Sequence, residues 1–543
     1  MTNSLLAGFY FALLLALLVF DLNINLAFSL IAWVRLTLFL MLTYGLLAAL
    51  VVLSIAATYR FLMGRKTALN FISLSFLTLA LSFLTLVFLV VFRENYLYFI
   101  SFFVPGLQAP LRTQMLALFV LAIIGFVLHY RQHHLHPQRP YAGVFFGLLA
   151  SVLVLAAAQR SGYPTPQKLF KLANLEAKPI EKRVTVLCLE GLSLDILLPY
   201  TSERKLPNFS WLMKEGAWGQ LDGFTPSDPY VLTATFNTGK LPGKHRLISD
   251  VKYRIPGLGA ELEVVPRFIL FRQLTRLGLM HILPNDPKPR TKDIWTVLAE
   301  YKAPAVRMDG PFIAPSVARK INPRTDKLFR SVFQDFQFES SWIFTQVKQA
   351  FLRDADSEEQ AFQAKSDIQP RVFSLLLDGA TTAEMYFYKY SFPGEFGEIR
   401  QDEIQKYGSV IEKYYLFYDQ IISKYLASLK EGELFIVYSP HGIESLPFWK
   451  RVVEWTLGNA EVSSYHEQAP PGVAFFYGKG IIKGGNFDAI RLVDLAPTIL
   501  YYLGLPVGKD MDGVVRGSLF ERAFTDENPV LTITSYDDVG IKK

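Results

Sequence analysis

Three short segments put chemistry-bearing side chains directly after apolar, β-branched runs: Glu190-Gly191, Asp378-Gly379 and Ser439-Pro440-His441-Gly442. A carboxylate or an imidazole in such a place can ligate a metal or move a proton. A hydroxyl-bearing stretch, Thr225-Pro226-Ser227-Asp228-Pro229, lies between two of them, with Asp228 reading as a helix N-cap and Pro229 as the first helical residue. A second isolated imidazole is His466, in Ser464-Tyr465-His466. Either lone histidine can equally be a hydrogen-bonded structural residue. The group His129, His133, His134 and His136 has a spacing that fits no common zinc pattern and reads as a polar interfacial loop. The single cysteine, Cys188, excludes an internal disulfide framework and sits in an apolar run that reads as a buried strand.

The elements that must position these residues follow from periodicity. The runs 184–189, 371–377, 434–438 and 473–476 read as buried strands, and 206–215, 294–301, 402–429 and 492–503 as helices. Alternating strands and helices predict an α/β domain around a mostly parallel sheet. In such sheets the ligand site lies at the carboxyl ends of the strands, where the three segments fall. Residues 321–370 are polar and helical and read as an insertion over the cleft, serving as a lid or a docking surface. The tail 526–543 reads as partly ordered.

The N-terminal third is different. Of 543 residues, 51% are hydrophobic and 19% charged, with a mean hydropathy of +0.25. Residues 1–160 hold nine Lys/Arg and two Asp/Glu, while 161–543 hold 46 of each. The basic excess lies between apolar runs rather than on one polar face, which excludes a nucleic-acid binder working through bulk charge. Runs near 4–20, 36–58, 68–92, 113–130 and 141–158 are each about long enough to cross a bilayer, giving an expected five spans. The stretch 23–34 reads as an interfacial helix or an extension of the second span. With Arg60, Arg65, Lys66, Arg131 and Arg139 in two loops, the positive-inside rule places the N-terminus in the cytoplasm and everything after Ala158 outside. No Asp, Glu, Lys or Arg lies mid-span, so the spans read as an anchor rather than an ion pathway. The expected organisation is a helical anchor over 1–160, a linker over 161–182 and a folded domain over 183–525.

Four further segments carry a family likeness: VLCLEGLSLDIL with LPNFSWLMKEGAWGQL, TGKLPGKH, IVYSPHGIESL, and GVAFFYGKGI leading into RLVDLAPTILYYLGLPVGKDMDG. With KDIWTVLAEYKAPAVRMDGPFIAP they occur in the order found in the alkaline phosphatase superfamily, and the domain resembles its type I phosphodiesterase/nucleotide pyrophosphatase branch. The anchored layout is similar to that of membrane-bound phosphoethanolamine and phosphoglycerol transferases, an architectural analogy only. The resemblance implies a two-zinc hydrolase or transferase of phosphate esters in a bacterial plasma membrane. It also implies an aspartate after the first strand, a Thr or Ser nucleophile opening a helix, an Asp…His pair, an S-D-H-G motif and a last histidine.

Position by position the chain departs from that pattern. The first aspartate reads as Glu190, either a ligand or a carboxylate capping the next helix. The nucleophile position falls on Asp228 or Pro229, so that Ser227 or Thr225 serves only if the loop carries an insertion. The Asp…His pair reads as Thr381 and Met385, and the S-D-H-G aspartate as Pro440. Hydroxyl and thioether are poor zinc ligands, and proline offers none. Only Glu190, Asp228, His441 and His466 remain as metal candidates. The leading expectation is a catalytically inactive member that needs no cofactor and acts as a binding or structural subunit. Its partner would be an envelope protein, lipid or glycan, alongside the lipid bilayer and with no nucleic acid. The alternative is a divergent phosphodiesterase or phosphotransferase using zinc or another divalent metal on these four residues.

Overall fold

The computed structural model describes residues 2–542 except 27–28, 63–73, 104, 132–140, 162–171, 177–179, 269–270, 272–273, 286–289, 309–321, 337–338, 457–458, 467–469 and 538. The loop cations Arg65, Lys66 and Arg139, the histidines His133, His134 and His136, and the linker lysines Lys168, Lys171 and Lys178 lie outside the described residues. The chain forms two compact units, Met1–Lys168 with Pro242–Pro289, and Leu169–Leu241 with Arg290–Lys543.

The first unit is built on apolar helices: α1 (Thr2–Leu22), α2 (Leu30–Tyr59), α3 (Leu74–Tyr98), α4 (Pro105–Tyr130) and α5 (Tyr141–Ser161). Among the described residues four of them are long and apolar enough to cross a bilayer, and a further apolar stretch, Gly143–Ala156, lies within the 21-residue α5. The stretch before Arg35 joins the second span from Leu30 onward. Outward-facing Ile31, Leu42 and Leu50 on α2 suit a lipid surroundings rather than water. A Cβ on Gly8 would meet the Gly45 carbonyl oxygen at 2.2 Å, so α1 and α2 approach backbone to backbone.

Segment Pro242–Pro289 packs with these helices. It carries a three-stranded sheet in which Val251–Arg254 pairs antiparallel with Glu261–Leu262 and His281–Pro284. Two buried asparagines at helix ends hold it. Asn23 accepts from the backbone N–H groups of Glu263 (2.8 Å) and Val264 (2.9 Å) and donates to the Val264 carbonyl (3.0 Å). Asn95 accepts from the Arg267 N–H (2.6 Å) and donates to the Arg267 carbonyl (3.0 Å). Each amide replaces a strand neighbour for peptide groups that would otherwise be left unpaired.

The second unit is built on a seven-stranded sheet. Its strands are β1 (Arg183–Leu189), β2 (Ala217–Asp222), β3 (Ala305–Met308), β4 (Val372–Leu377), β5 (Glu433–His441), β6 (Pro471–Tyr477) and β7 (Gly485–Arg491), in the spatial order β7-β2-β6-β5-β1-β4-β3. Only β6 runs antiparallel to its neighbours. Side chains alternate between faces with period two: Leu187, Leu375 and Val437 enter one apolar layer, and Val186, Cys188 and Ile436 the other. The polar stretch expected as an insertion forms a long helix, α7 (Trp342–Ile368), whose Phe344, Val347 and Phe351 belong to the first layer. The expected 402–429 helix breaks at Gly408, giving Gln401–Tyr407 and α9 (Val410–Ser428), with α8 (Gly379–Ser391) directly after β4. The tail is anchored: Asp537 pairs with buried Lys240 at 2.9 Å, and Val539–Lys542 pairs parallel with Leu172–Glu176.

Candidate active-site cleft

The carboxyl ends of β1, β4 and β5 bring together Glu190, Asp378 and His441. The β1–β5 register pairs Cys188 with Tyr438, and two residues further it sets Glu190 across from Pro440. Because β1 ends at Leu189, no ladder hydrogen bond from β1 is missed there, which is how a proline is accommodated in a central strand. Glu190 is buried and does not cap the next helix; Ser193 does, its hydroxyl accepting from the Asp195 N–H. Burial first, then the carboxylates of Asp378, Asp228 and Asp354, push the Glu190 carboxyl well above the usual range.

The helix opening next to the cleft is α6 (Pro229–Thr238). Asp228 caps it, accepting from the Val231 N–H at 3.2 Å with Pro229 in the first turn. The expected cap at Asp228 is thus present. Ser227 precedes the helix and donates to the Phe224 carbonyl (3.3 Å), and Thr225 stands two residues further back.

His466 precedes β6, and since β6 is antiparallel its start lies beside the end of β5, with Pro471 opposite His441. The two imidazoles stack, centroids 4.8 Å apart and planes 20° from parallel. His441 Nδ1 lies 3.1 Å from the Gly442 carbonyl, while Nε2 is buried without a hydrogen-bond partner. Burial, with His466 adding to it, lowers the His441 pKa to about 3, so the ring is neutral.

Thr381 and Met385 lie four residues apart on α8. The Thr381 hydroxyl donates to the Asp378 carbonyl (2.6 Å), and the Met385 carbonyl accepts from the Ser463 N–H (2.8 Å). Around them is a buried acid–tyrosine network that sequence reasoning missed. Asp354 accepts from the Gly379 N–H and the Tyr414 hydroxyl, both at 2.9 Å, and Arg353 pairs with Asp378. A Cβ on Gly379 would fall 1.8 Å from the Tyr414 hydroxyl, so only glycine fits. Glu384 is fully buried, and Tyr415 lies 3.0 Å from its Oε1 and 2.9 Å from the Gly191 carbonyl. The phenol proton is shared between these two acceptors, and burial raises the Glu384 carboxyl well above its ordinary range, an effect the Tyr415 hydrogen bond opposes. The available signal was Asp354 and Glu358 on the otherwise apolar stripe of α7 and the Tyr414, Tyr415, Tyr418 cluster on α9.

Burial, with Asp378 adding to it, pushes Asp354 up to about 7. An unfolded aspartate releases its proton near about pH 4. Between these values the fold binds more protons than the unfolded chain, so this stabilisation is full below about pH 4 and is lost as the pH rises to about 7. Asp354→Asn keeps an acceptor for Gly379 and Tyr414 without the titration. The thermal midpoint of the parent chain is expected to fall relative to the Asp354→Asn variant between about pH 5 and pH 8; parallel curves would contradict the buried, protonated carboxyl.

These residues do not fit a two-zinc centre. Among the described residues no three His, Cys, Asp or Glu side chains are grouped to hold a metal ion, and catalytic zinc needs three protein ligands. Glu190 and Asp228 sit with other carboxylates, while His441 and His466 face each other.

The family model for type I phosphodiesterase / nucleotide pyrophosphatase matches residues 184–481. The chain belongs to this family. Its members are generally zinc-dependent hydrolases, and the type I phosphodiesterase/nucleotide pyrophosphatase resemblance carried by the sequence motifs is borne out. Similar solved structures include murine ectonucleotide pyrophosphatase/phosphodiesterase 5 as an inactive variant with AMP. It is 12% identical with a TM-score of 0.37, over 63% of this chain and 100% of that one. The human enzyme of the same name is 12% identical with a TM-score of 0.35, over 62% and 98%. The phosphonate monoester hydrolase of Silicibacter pomeroyi is 14% identical with a TM-score of 0.37, over 62% and 76%. No curated protein sequence matches the chain. The chain is thus a membrane-anchored, phosphodiesterase/pyrophosphatase-like protein.

Proposed function

We propose that this family member is catalytically silent and serves as a membrane-anchored binding or structural subunit of a bacterial cell envelope, its N-terminus cytoplasmic and its α/β domain outside. The observation that carries the reading is the set of side chains at three ligand positions, Thr381, Met385 and Pro440. The electrostatics of the cleft agree with it. Asp378, Asp228 and Asp354 are close enough to raise the Glu190 pKa, and Arg353 pairs with Asp378. Without bound metal, such a cleft repels a phosphate ester rather than attracting it. A protein partner or a neutral glycan suits it better than an anionic head group.

The test is hydrolysis of bis-p-nitrophenyl phosphate by the full-length chain supplied with zinc or manganese. The expected result is a rate equal to that of the His441→Ala, His466→Ala double variant. A metal-dependent rate that disappears in the double variant would instead establish the second reading, a divergent phosphodiesterase or phosphotransferase. In that case Glu190, Asp228, His441 and His466 hold one metal and Ser227 or Thr225 is the nucleophile.

A further inference from the structure

A cavity of about 660 Å³ lies within the helical unit, and none of the cleft residues lines it. Its lining includes Arg35 from α2 and, from the loop joining two strands of the small sheet, Arg254, Gly257, Gly259 and Glu261. Gly257 and Gly259 have left-handed backbones (φ +78° and +71°), and a Cβ on Gly259 would stand 2.9 Å from a guanidinium nitrogen of Arg35. The loop therefore leaves the arginine head room. Arg254 is paired with Glu261 at 2.5 Å, whereas among the described residues no carboxylate lies within ion-pair distance of Arg35. The exposed guanidinium is thus the uncompensated charge of the cavity.

Its surroundings say which anion suits it. Arg35 is flanked on α2 by Leu30, Ile31, Val34 and Leu38, all at least 49% exposed and apolar as only a bilayer tolerates. The Pro242–Pro289 segment adds exposed Leu277 and Ile282, 70% and 56%. It also carries eight Lys/Arg against four Asp/Glu, in a chain whose residues 161–543 are balanced overall. Exposed apolar side chains with a basic excess are the composition of a surface lying in the membrane interface. We infer that Arg35 and the Arg254–Glu261 loop form a binding site for the phosphate of an anionic phospholipid, whose acyl chains lie along the apolar face of α2. The guanidinium supplies a two-point contact to the phosphate, and the glycine turn lets the backbone come close to it. The inference holds whether or not the cleft is catalytically silent.

The experiment titrates full-length chain in neutral detergent with dioctanoyl phosphatidylglycerol, dioctanoyl phosphatidylcholine and inorganic phosphate. Phosphatidylglycerol is expected to bind about tenfold more tightly than phosphatidylcholine, and Arg35→Gln to remove that preference. Arg276→Gln makes the same charge change in the same segment outside the cavity and is expected to change affinity less than about twofold. Should the neutral variant unfold, Arg35→Lys, which keeps the charge but not the fork, is expected to fall between parent and neutral lipid. Equal affinity for the two lipids would overturn the site. So would equal losses in the Arg35 and Arg276 variants, undiminished binding by Arg35→Lys, or inorganic phosphate competing as well as the lipid, which would mark an adventitious anion site.

Discussion

Combining Thr381→Asp, Met385→His and Pro440→Asp is expected to raise zinc affinity on the order of a thousandfold or more, because with Glu190, His441 and His466 they restore the six side chains the motif resemblance implies for two zinc ions, three to each. The places are prepared for them. Thr381 and Met385 lie one turn apart on α8, at the carboxyl end of β4, and Pro440 stands across from Glu190 in the β1–β5 register. His441 already has a neutral ring with a buried, unpartnered Nε2. Isothermal titration of the parent and the triple variant with zinc checks this. Equal, weak binding by both would show that the cleft's shape, and not only its ligand chemistry, has departed from that of a metal site.

The second large effect is on stability. Asp494→Ala is expected to destabilise the α/β unit by about 2–4 kcal/mol, since removing the buried carboxylate orphans two backbone N–H donors and leaves the partly exposed Arg491 and Arg516 unpaired. The Asp494 carboxylate is fully buried. It accepts from the backbone N–H groups of Arg491 (3.0 Å) and Val514 (2.9 Å), from Arg491 Nη2 (3.0 Å) and from Arg516 Nε (2.7 Å). It thereby ties the end of β7, the following helix Leu495–Tyr502 and the Asp512-Gly513 turn into one piece. Denaturant unfolding followed by fluorescence measures the loss. Asp494→Asn, which retains acceptors but not the charge, is expected to cost less, and a loss under about 1 kcal/mol for Asp494→Ala would contradict the assignment.

What could be read from the sequence depended on how local the cause was. The β1, β4, β5 and β6 cores are runs of β-branched and aromatic residues, so their existence was legible, as were the Asp228 cap and the burial of Cys188. The placement of His441 and His466 side by side follows from strand order, in which antiparallel β6 returns beside β5, and the motifs implied it. Long-range polar pairing was not legible. Nothing local in Pro242–Pro289 signals that its backbone is completed by the side-chain amides of Asn23 and Asn95, residues 172 and 240 positions or more away. Nor does the composition of 321–370 reveal that one stripe of α7 enters the core, because Asp354 and Glu358 interrupt the apolar pattern there. Asp354 proves to be a buried acid of the cleft network, beside Tyr414 and Gly379, while Glu358 accepts from Lys424.

The most direct measurement is the metal content of the full-length chain, purified without chelator and analysed by inductively coupled plasma mass spectrometry. With hydroxyl, thioether and proline at three ligand positions, zinc and manganese together are expected well below one ion per chain, unchanged by His441→Ala with His466→Ala. Two tightly held ions per chain, lost when those two histidines are replaced, would contradict it.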